Sequence, residues 1–369
     1  MSSAQETVLE LNLKSLEHNY RYLRGKLKPS TQFLGVVKAF AYGSDAVKIS
    51  QKLVELGIDY LAVAYTDEGV ALRKAGIRVP ILVLHSQLVS FDTIIAHCLE
   101  PSIYSHRILD EFISVATKHG QTNYPIHLKF NTGLNRLGFN AHELPIIIEK
   151  LAKTTAVKVQ SIFSHLAASE DKNEEEFTKN QIASFTRIAS EIDEKLGYKA
   201  FKHLLNTSGI LNYPEAQYDL VRSGIGLYGF GNDPSEDKNL IPIATLKTNI
   251  SQIHHLEPNQ SVGYNRAFMS TKSRVTATLP LGHADGIGRQ YGNGKGMVAV
   301  NGKSAPIIGN TCMDMIMVDI TGIDCKEGDE VIVFGPDQTA NTFAERASTI
   351  SYELITGISQ RVKRVIVDS

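Results

Sequence analysis

Leu34-Gly-Val-Val-Lys-Ala-Phe-Ala-Tyr-Gly43 is an apolar run of strand type that ends on a lysine and turns at once on a glycine. In a parallel α/β sheet, that strand end is where chemistry is presented. The same rhythm repeats downstream. Short β-rich runs fall at Leu34–Lys38, Tyr60–Ala64, Ile81–Leu84, Ser102–Tyr104, Ile126–Phe130, Val157–Phe163, His203–Asn206 and Leu220–Arg222. Helical patterns lie between them. Asp45–Leu56 is closed by Gly57 and Asp67–Ala75 by Gly76, each glycine following the last periodic residue as a helix stop does. The longest predicted helix, about Asn173 to Leu196, opens with three glutamates near its positive end and carries Ile182, Phe185, Ala189, Ile192 and Leu196 on one face. Eight strand and helix repeats predict a (β/α)8 TIM-type barrel. No Gly-x-Gly-x-x-Gly follows the first strand, which argues against a dinucleotide-binding sheet.

After about residue 240 the rhythm changes. Thr248–His254, Arg274–Leu279, Met297–Val300, Ala305–Ile308, Met315–Ile320 and Glu330–Phe334 read as short strands, with a helix near Phe343–Thr356 and a last strand at Arg364–Val367. Asn301-Gly302 between two β runs signals a hairpin. Gly292-Asn-Gly-Lys-Gly296 lacks the following helix of a phosphate loop and reads as a loop between strands. The expected organisation is therefore a barrel over residues 1–240 and a mainly-β domain over 241–369, consistent with a length of 369 residues.

Composition narrows the function. Lys+Arg 38 against Asp+Glu 39 gives a net charge of −1, no footprint for nucleic acid or an anionic membrane. Cys98, Cys312 and Cys325 are too few and scattered for a disulfide framework or a zinc site. No apolar run approaches the ~20 residues of a membrane span, and Met-Ser-Ser-Ala-Gln-Glu-Thr at the start has no signal-peptide character. The expectation is a soluble cytoplasmic enzyme of small molecules, without a metal.

Polar residues collect just after the predicted barrel strands: Lys38 and Tyr42 after the first, Arg136 after the fifth, His165 after the sixth, Asn206 and Thr207 after the seventh, Arg222 and Gly224 after the eighth. Barrel active sites are built at that face from several strands at once. Taken singly, Lys38 could be a lysine snorkelling from a strand end, His165 a satisfied core histidine and Arg136 a surface ion-pair partner. Taken together they describe a site. A lysine in a partly dry barrel mouth has a lowered pKa, and its neutral amine suits Schiff-base chemistry, most often with pyridoxal 5'-phosphate.

These motifs resemble those of alanine racemases, over nearly the whole chain. Val-Val-Lys38-Ala-Phe-Ala-Tyr-Gly43 is similar to the cofactor-lysine motif of that family. His127-Leu-Lys-Phe-Asn-Thr-Gly-Leu-Asn-Arg-Leu-Gly138 resembles a second signature, in which Arg136 would bond the cofactor's phenolic oxygen and help hold the substrate, while Lys129 matches a lysine carbamylated in some members. Phe163-Ser-His-Leu166 is similar to the family segment whose histidine, here His165, would lie against the pyridine ring and bond the arginine of the last barrel strand. Val221-Arg-Ser-Gly-Ile-Gly-Leu-Tyr-Gly229 resembles the last barrel signature, with Arg222 facing the ring nitrogen and the backbone of Gly224 and Ile225 receiving the phosphate. Asn206, Thr207, Tyr42 and Tyr352 match further cofactor contacts. Ser261-Val-Gly-Tyr-Asn-Arg266 resembles the family segment whose tyrosine, here Tyr264, would be the second catalytic base, and Gly309-Asn-Thr-Cys-Met-Asp314 resembles the segment that would bring a backbone group of Met313 to the substrate with Asp314 nearby. In the family these last two segments reach the cofactor from the partner subunit, which implies a homodimer with shared active sites.

The resemblance implies interconversion of L- and D-alanine, supplying D-alanine for peptidoglycan, with Lys38 and Tyr264 as bases on opposite faces of the substrate. It has departures. Phe40 stands where asparagine is usual, Ser44-Asp45 replaces histidine-glycine, and His283 in Leu281-Gly-His-Ala-Asp-Gly286 stands where tyrosine is common. A serine or broad-specificity racemase is the alternative within the class. A pyridoxal-dependent decarboxylase would place a carboxylate where Arg222 stands, and a non-enzymatic pyridoxal phosphate carrier would leave Tyr264 and the β domain unexplained.

Overall fold

The computed structural model describes residues 6–367. The chain forms two compact units. One comprises Leu16–Ala41 and Ala46–Leu240; the other comprises the described residues up to Ser15, then Tyr42–Asp45, then the chain from Ile241 onward.

The first strand, β1 (Val8–Asn12), belongs to the second unit. Next come the strands of the first: β2 (Gln32–Val36), β3 (Tyr60–Val63), β4 (Ile81–Val83), β5 (Glu100–Ile103), β6 (Tyr124–Lys129), β7 (Val157–Phe163), β8 (Phe201–His203) and β9 (Leu220–Ser223). They pair in parallel in the order β8-β7-β6-β5-β4-β3-β2-β9. The ring is closed by backbone bonds from Asp219 N to Lys202 O, 3.1 Å, and from Arg222 N to Leu205 O, 3.0 Å. The (β/α)8 barrel expected from the repeating pattern is therefore present. Gly57 and Gly76 end their helices at φ 89° and 87°, in the left-handed region that costs glycine least. The long helix Glu175–Leu196 buries Phe185, Ile188, Ala189 and Ile192 and ends on left-handed Gly197.

Six barrel strands stop earlier than their sequence suggests, β3, β4, β5 and β6 by one residue and β2 and β8 by more. β2 ends at Val36, and Lys38–Gly43 forms a separate helical turn. β8 ends at His203, because Asn206 is already committed to capping the short helix Thr207–Asn212, its side chain accepting from Gly209 N at 2.9 Å.

The second unit is mainly β. Its remaining strands are β10 (Ala244–Asn249), β11 (Gln252–Leu256), β12 (Ser261–Val262), β13 (Phe268–Met269), β14 (Arg274–Leu279), β15 (Met297–Val300), β16 (Lys303–Ile308), β17 (Ile316–Asp319), β18 (Glu330–Phe334) and β19 (Lys363–Val367). β12 pairs with β13; the others form a nine-stranded sheet in the order β11-β14-β17-β16-β15-β18-β10-β1-β19. β1 lies between antiparallel β10 and parallel β19, so this strand is held by elements that follow the barrel.

The run expected as one strand, Thr248–His254, is two. Ile250 N bonds Asp329 O and Ser251 N bonds Thr278 O, so the chain leaves β18 and takes β14 as its partner at that point. Asn301 and Gly302, at φ 48° and 73°, join β15 to β16 as the predicted two-residue hairpin. The helix expected near Phe343–Thr356 divides into Ala340–Glu345 and Ser351–Gly357, with Ser348 at φ 58° between them. Gly292–Gly296 is a loop before β15, where a Cβ on Gly296 would lie 2.6 Å from Ile307 Cδ1.

Candidate active site

Lys38 opens a left-handed turn. Ala39, Phe40, Ala41 and Tyr42 have φ of 51°, 55°, 55° and 55°, and Gly43 follows at 79°. L-residues in that conformation cost about 1–2 kcal/mol each, so it persists only where the surroundings impose it. Glu68 is one such restraint: its carboxylate accepts from Ala39 N at 2.6 Å, Ala64 N at 2.7 Å and Tyr65 N at 3.1 Å. Gly43 is another, since a Cβ there would lie 1.9 Å from Ile355 O. Its carbonyl accepts from Arg364 Nη2 at 2.7 Å.

The barrel unit surrounds Lys38 with positive charge. Burial lowers the lysine's pKa, and Arg136 lowers it further, while Glu68 opposes them. Lys129, the last residue of β6, is buried and pushed down to about 8, first by desolvation and then by Arg136, Arg222 and Lys38. His165 is held well below the usual histidine range by burial and by the same cations. It is neutral at physiological pH.

Arg136 sits on the loop that follows β6. Asn131 Oδ1 accepts from Gly133 N at 3.1 Å and Asn135 N at 3.0 Å, and Phe139 N returns to Lys129 O at 2.9 Å, so the loop is pinched shut at its base. Arg222, on β9, is buried. One of its nitrogens donates to His203 Nδ1 at 2.7 Å; the other reaches Ser164 O at 2.8 Å, Leu204 O at 3.0 Å and His165 Nδ1 at 3.2 Å. Burial brings its pKa down to about 9, which leaves it cationic at neutral pH.

Hydroxyl and backbone groups gather after β8 and β9. Thr207 Oγ1 is 2.9 Å from Ser223 Oγ and accepts from Gly226 N at 3.3 Å. Gly224 precedes the turn Ile225–Tyr228, and a Cβ on Gly226 would come within 2.6 Å of Thr207 Cγ2. The cradle tolerates only glycine at that point.

In the β unit, Tyr42 and Tyr352 are ring neighbours, centroids 6.0 Å apart, and burial raises the Tyr42 phenol strongly. Tyr264 lies on the turn Tyr264–Arg266 and is 75% exposed. Asn310 Nδ2 donates to Tyr264 O at 3.3 Å, which ties that turn to the segment carrying Met313. The Met313 carbonyl accepts from Ala284 N at 3.0 Å, and Asp314 and Asp285 both bind Arg361, at 2.6 and 2.7 Å. His283 is exposed on the turn His283–Asp285.

The profile described as "Alanine racemase, N-terminal domain" matches residues 11–232, and that described as "Alanine racemase, C-terminal domain" matches residues 243–366. The chain belongs to the alanine racemase family. "Alanine racemase 1" of Clostridium acetobutylicum is 37% identical over 368 residues, covering 97% of this chain and 94% of that protein. The alanine racemase of Thermodesulfovibrio yellowstonii is 36% identical over 364 residues, 96% of each. Among solved structures, the alanine racemase of Clostridium difficile superposes with a TM-score of 0.92 at 33% identity, covering 100% of this chain and 97% of that one. The Bartonella henselae enzyme, solved with covalently bound pyridoxal phosphate, gives 0.90 at 28% identity, covering 99% and 100%.

Membership makes the protein a pyridoxal 5'-phosphate-dependent isomerase. The donor set suits that cofactor: a desolvated lysine, cationic guanidinium groups, and hydroxyl and backbone groups beside a glycine-only cradle fit an aldehyde, a phenolate and a phosphate. Within the barrel unit the structure brings Lys38, Lys129, Arg136, His165 and Arg222 into one electrostatic cluster and places Thr207 beside Ser223. Within the β unit it brings Tyr42 to Tyr352 and Tyr264 to the Met313 segment. Sequence reading did not single out His203, which receives Arg222, or Glu68, which holds the turn after Lys38. The available signal was weak: a histidine one strand away from the arginine, and a glutamate at the start of a helix. Among the described residues no helix is long and apolar enough to cross a membrane.

Proposed function

We propose that Lys38 and Tyr264 are the two bases with which this alanine racemase interconverts L- and D-alanine, Lys38 Nζ serving the D face and Tyr264 Oη the L face. Racemisation needs a proton removed on one side of the α-carbon and returned on the other, so one acid/base group per face suffices. The observation that carries this reading is the state of Lys38: its amine is desolvated beside Arg136, and the one carboxylate raising its pKa, Glu68, is occupied with three backbone N–H groups. A lysine so placed gives up its proton readily.

When bound, pyridoxal 5'-phosphate delocalises the electron pair left at the substrate α-carbon. Arg222 would face its ring nitrogen, and a group that can only donate keeps that nitrogen unprotonated and moderates the electron sink. Arg136 and the backbone of Met313 would hold the substrate carboxylate and the phenolic oxygen. Asn206, Thr207, Gly224, Ile225, Tyr42 and Tyr352 would retain the phosphate, and His165 would lie against the ring. Lys129, neutral above about 8, is chemically open to carbamylation, and the resulting anion would sit among Arg136, Arg222 and Lys38. Tyr264 and Met313 would come from the partner of a homodimer, and the product would be the D-alanine of peptidoglycan in the cytoplasm.

Lys38→Ala is expected to abolish both racemisation directions and the visible absorbance of the bound cofactor. Tyr264→Phe should keep the absorbance and lose racemisation. A borohydride-reducible cofactor linkage persisting in Lys38→Ala would remove Lys38 from its role.

A further inference from the structure

We propose that Glu100 is a positioning residue for Arg222, acting through a one-way hydrogen-bond chain formed by His127, Ser161 and His203. The five residues stand on five consecutive barrel strands: Glu100 on β5, His127 on β6, Ser161 on β7, His203 on β8 and Arg222 on β9. Arg222 to His203 Nδ1 is 2.7 Å, His203 Nε2 to Ser161 Oγ is 2.8 Å, Ser161 Oγ to His127 Nδ1 is 2.6 Å and His127 Nε2 to Glu100 Oε2 is 2.6 Å. His127, Ser161, His203 and Arg222 are each no more than 4% exposed.

The cation at one end fixes the direction of the first two bonds, and the proposed chain continues it through the last two. A guanidinium only donates, so His203 Nδ1 must accept and its proton must be on Nε2. Burial and the charge of Arg222 hold His203 well below the usual histidine range, so it carries that one proton only. Ser161 then accepts from His203 and has its own hydroxyl proton to give to His127 Nδ1. With Ser161 donating, His127 Nδ1 accepts and its Nε2 proton is aimed at the Glu100 carboxylate. A cation at one end and a carboxylate at the other select a single tautomer for both histidines, and such chains polarise cooperatively.

Two aromatic contacts keep the rings in register. Phe163 stacks on His203 at 4.7 Å and 10°, and Tyr60 meets His127 edge-on at 6.1 Å. Tyr60 belongs to the Glu100 end as well: burial and the Glu100 charge raise its phenol, and its hydroxyl accepts from Gln160 at 3.3 Å. The chain thus holds the guanidinium through its bond to His203. Its effect on the reaction rests on the assignment of Arg222 to the cofactor's ring nitrogen; its effect on the histidines does not.

The test is 15N spectroscopy of histidine-labelled holoenzyme, with kinetics on the same samples. In the wild type, His127 and His203 should each show a bare Nδ1 and a protonated Nε2. Glu100→Leu should shift the nitrogen signals of His203, three hydrogen bonds away, and lower kcat by about twofold to thirtyfold with little change in KM. Glu100→Gln, which keeps an acceptor oxygen but loses the charge, should shift the same signals by less, and it carries the test if the leucine variant does not fold. In a Ser161→Ala background the chain is cut, so Glu100→Leu should add nothing further to the loss in kcat. A wild-type His203 protonated on Nδ1, His203 signals unmoved by either substitution, or additive losses in the double variant would overturn the proposal. None of those results would bear on Lys38 or Tyr264 as bases, and loss of their roles would leave the tautomers as stated.

Discussion

Phe40 occupies the left-handed region at φ 55° with its ring 58% exposed, so it meets the strain of the turn after Lys38 with little burial in return. Asparagine, usual there in the family signature, tolerates that conformation better than a bulky residue. Phe40→Asn is therefore expected to raise stability by about 0.5–1 kcal/mol, read as a higher denaturant midpoint at unchanged slope. An unchanged or lower midpoint would show that the ring supplies compensating contacts in the folded enzyme. At this scale the grouping of candidate residues was legible where a chemically apt type recurs just after a barrel strand, as for Lys38, Arg136 and Arg222. It was not legible where a residue acts by receiving another: His203 and Glu68 become informative only when the strand and helix that present them stand beside Arg222 and Ala39.

The pinched loop after β6 shows what an element contributes. Gly138 has φ 132°, and a Cβ there would lie 2.6 Å from the Asn131 nitrogen and the Phe130 carbonyl carbon. That close approach lets Phe139 pair back against Phe130 and Lys129, which fixes the loop bearing Arg136. Gly138→Ala should cost about 1–3 kcal/mol of stability and raise KM for alanine more than it lowers kcat, because Arg136 would lose its fixed position rather than its charge. Urea unfolding and steady-state kinetics on one preparation separate the two effects, and an unchanged KM would mean that the loop does not position Arg136 toward substrate. Most elements could be read from the chain because strand runs and glycine stops are local signals. Boundaries failed where a non-local partner decides them. Nothing within Thr248–His254 announces that Ile250 bonds Asp329 while Ser251 bonds Thr278, and nothing in Val8–Asn12 announces a place between β10 and β19.

At the scale of the whole molecule, the chain places its two proposed bases in different compact units, Lys38 in the barrel and Tyr264 in the β unit. Carried over from the family signature, Tyr264 serves the cofactor of the partner subunit, so a complete site draws one base from each chain of a homodimer. Homodimers of Lys38→Ala and of Tyr264→Phe should then each be nearly inactive. A mixture allowed to exchange subunits should regain activity, since in a heterodimer one site lacks both bases and the other has both intact. Equal mixing puts about half of the dimers in the mixed form with one working site of two, so the ceiling is about one quarter of wild-type activity. The racemisation rate after exchange, with mixed dimers verified by native mass spectrometry, reads the outcome. Mixed dimers without restored activity would require both bases to come from the same chain, and the shared site would have to be given up.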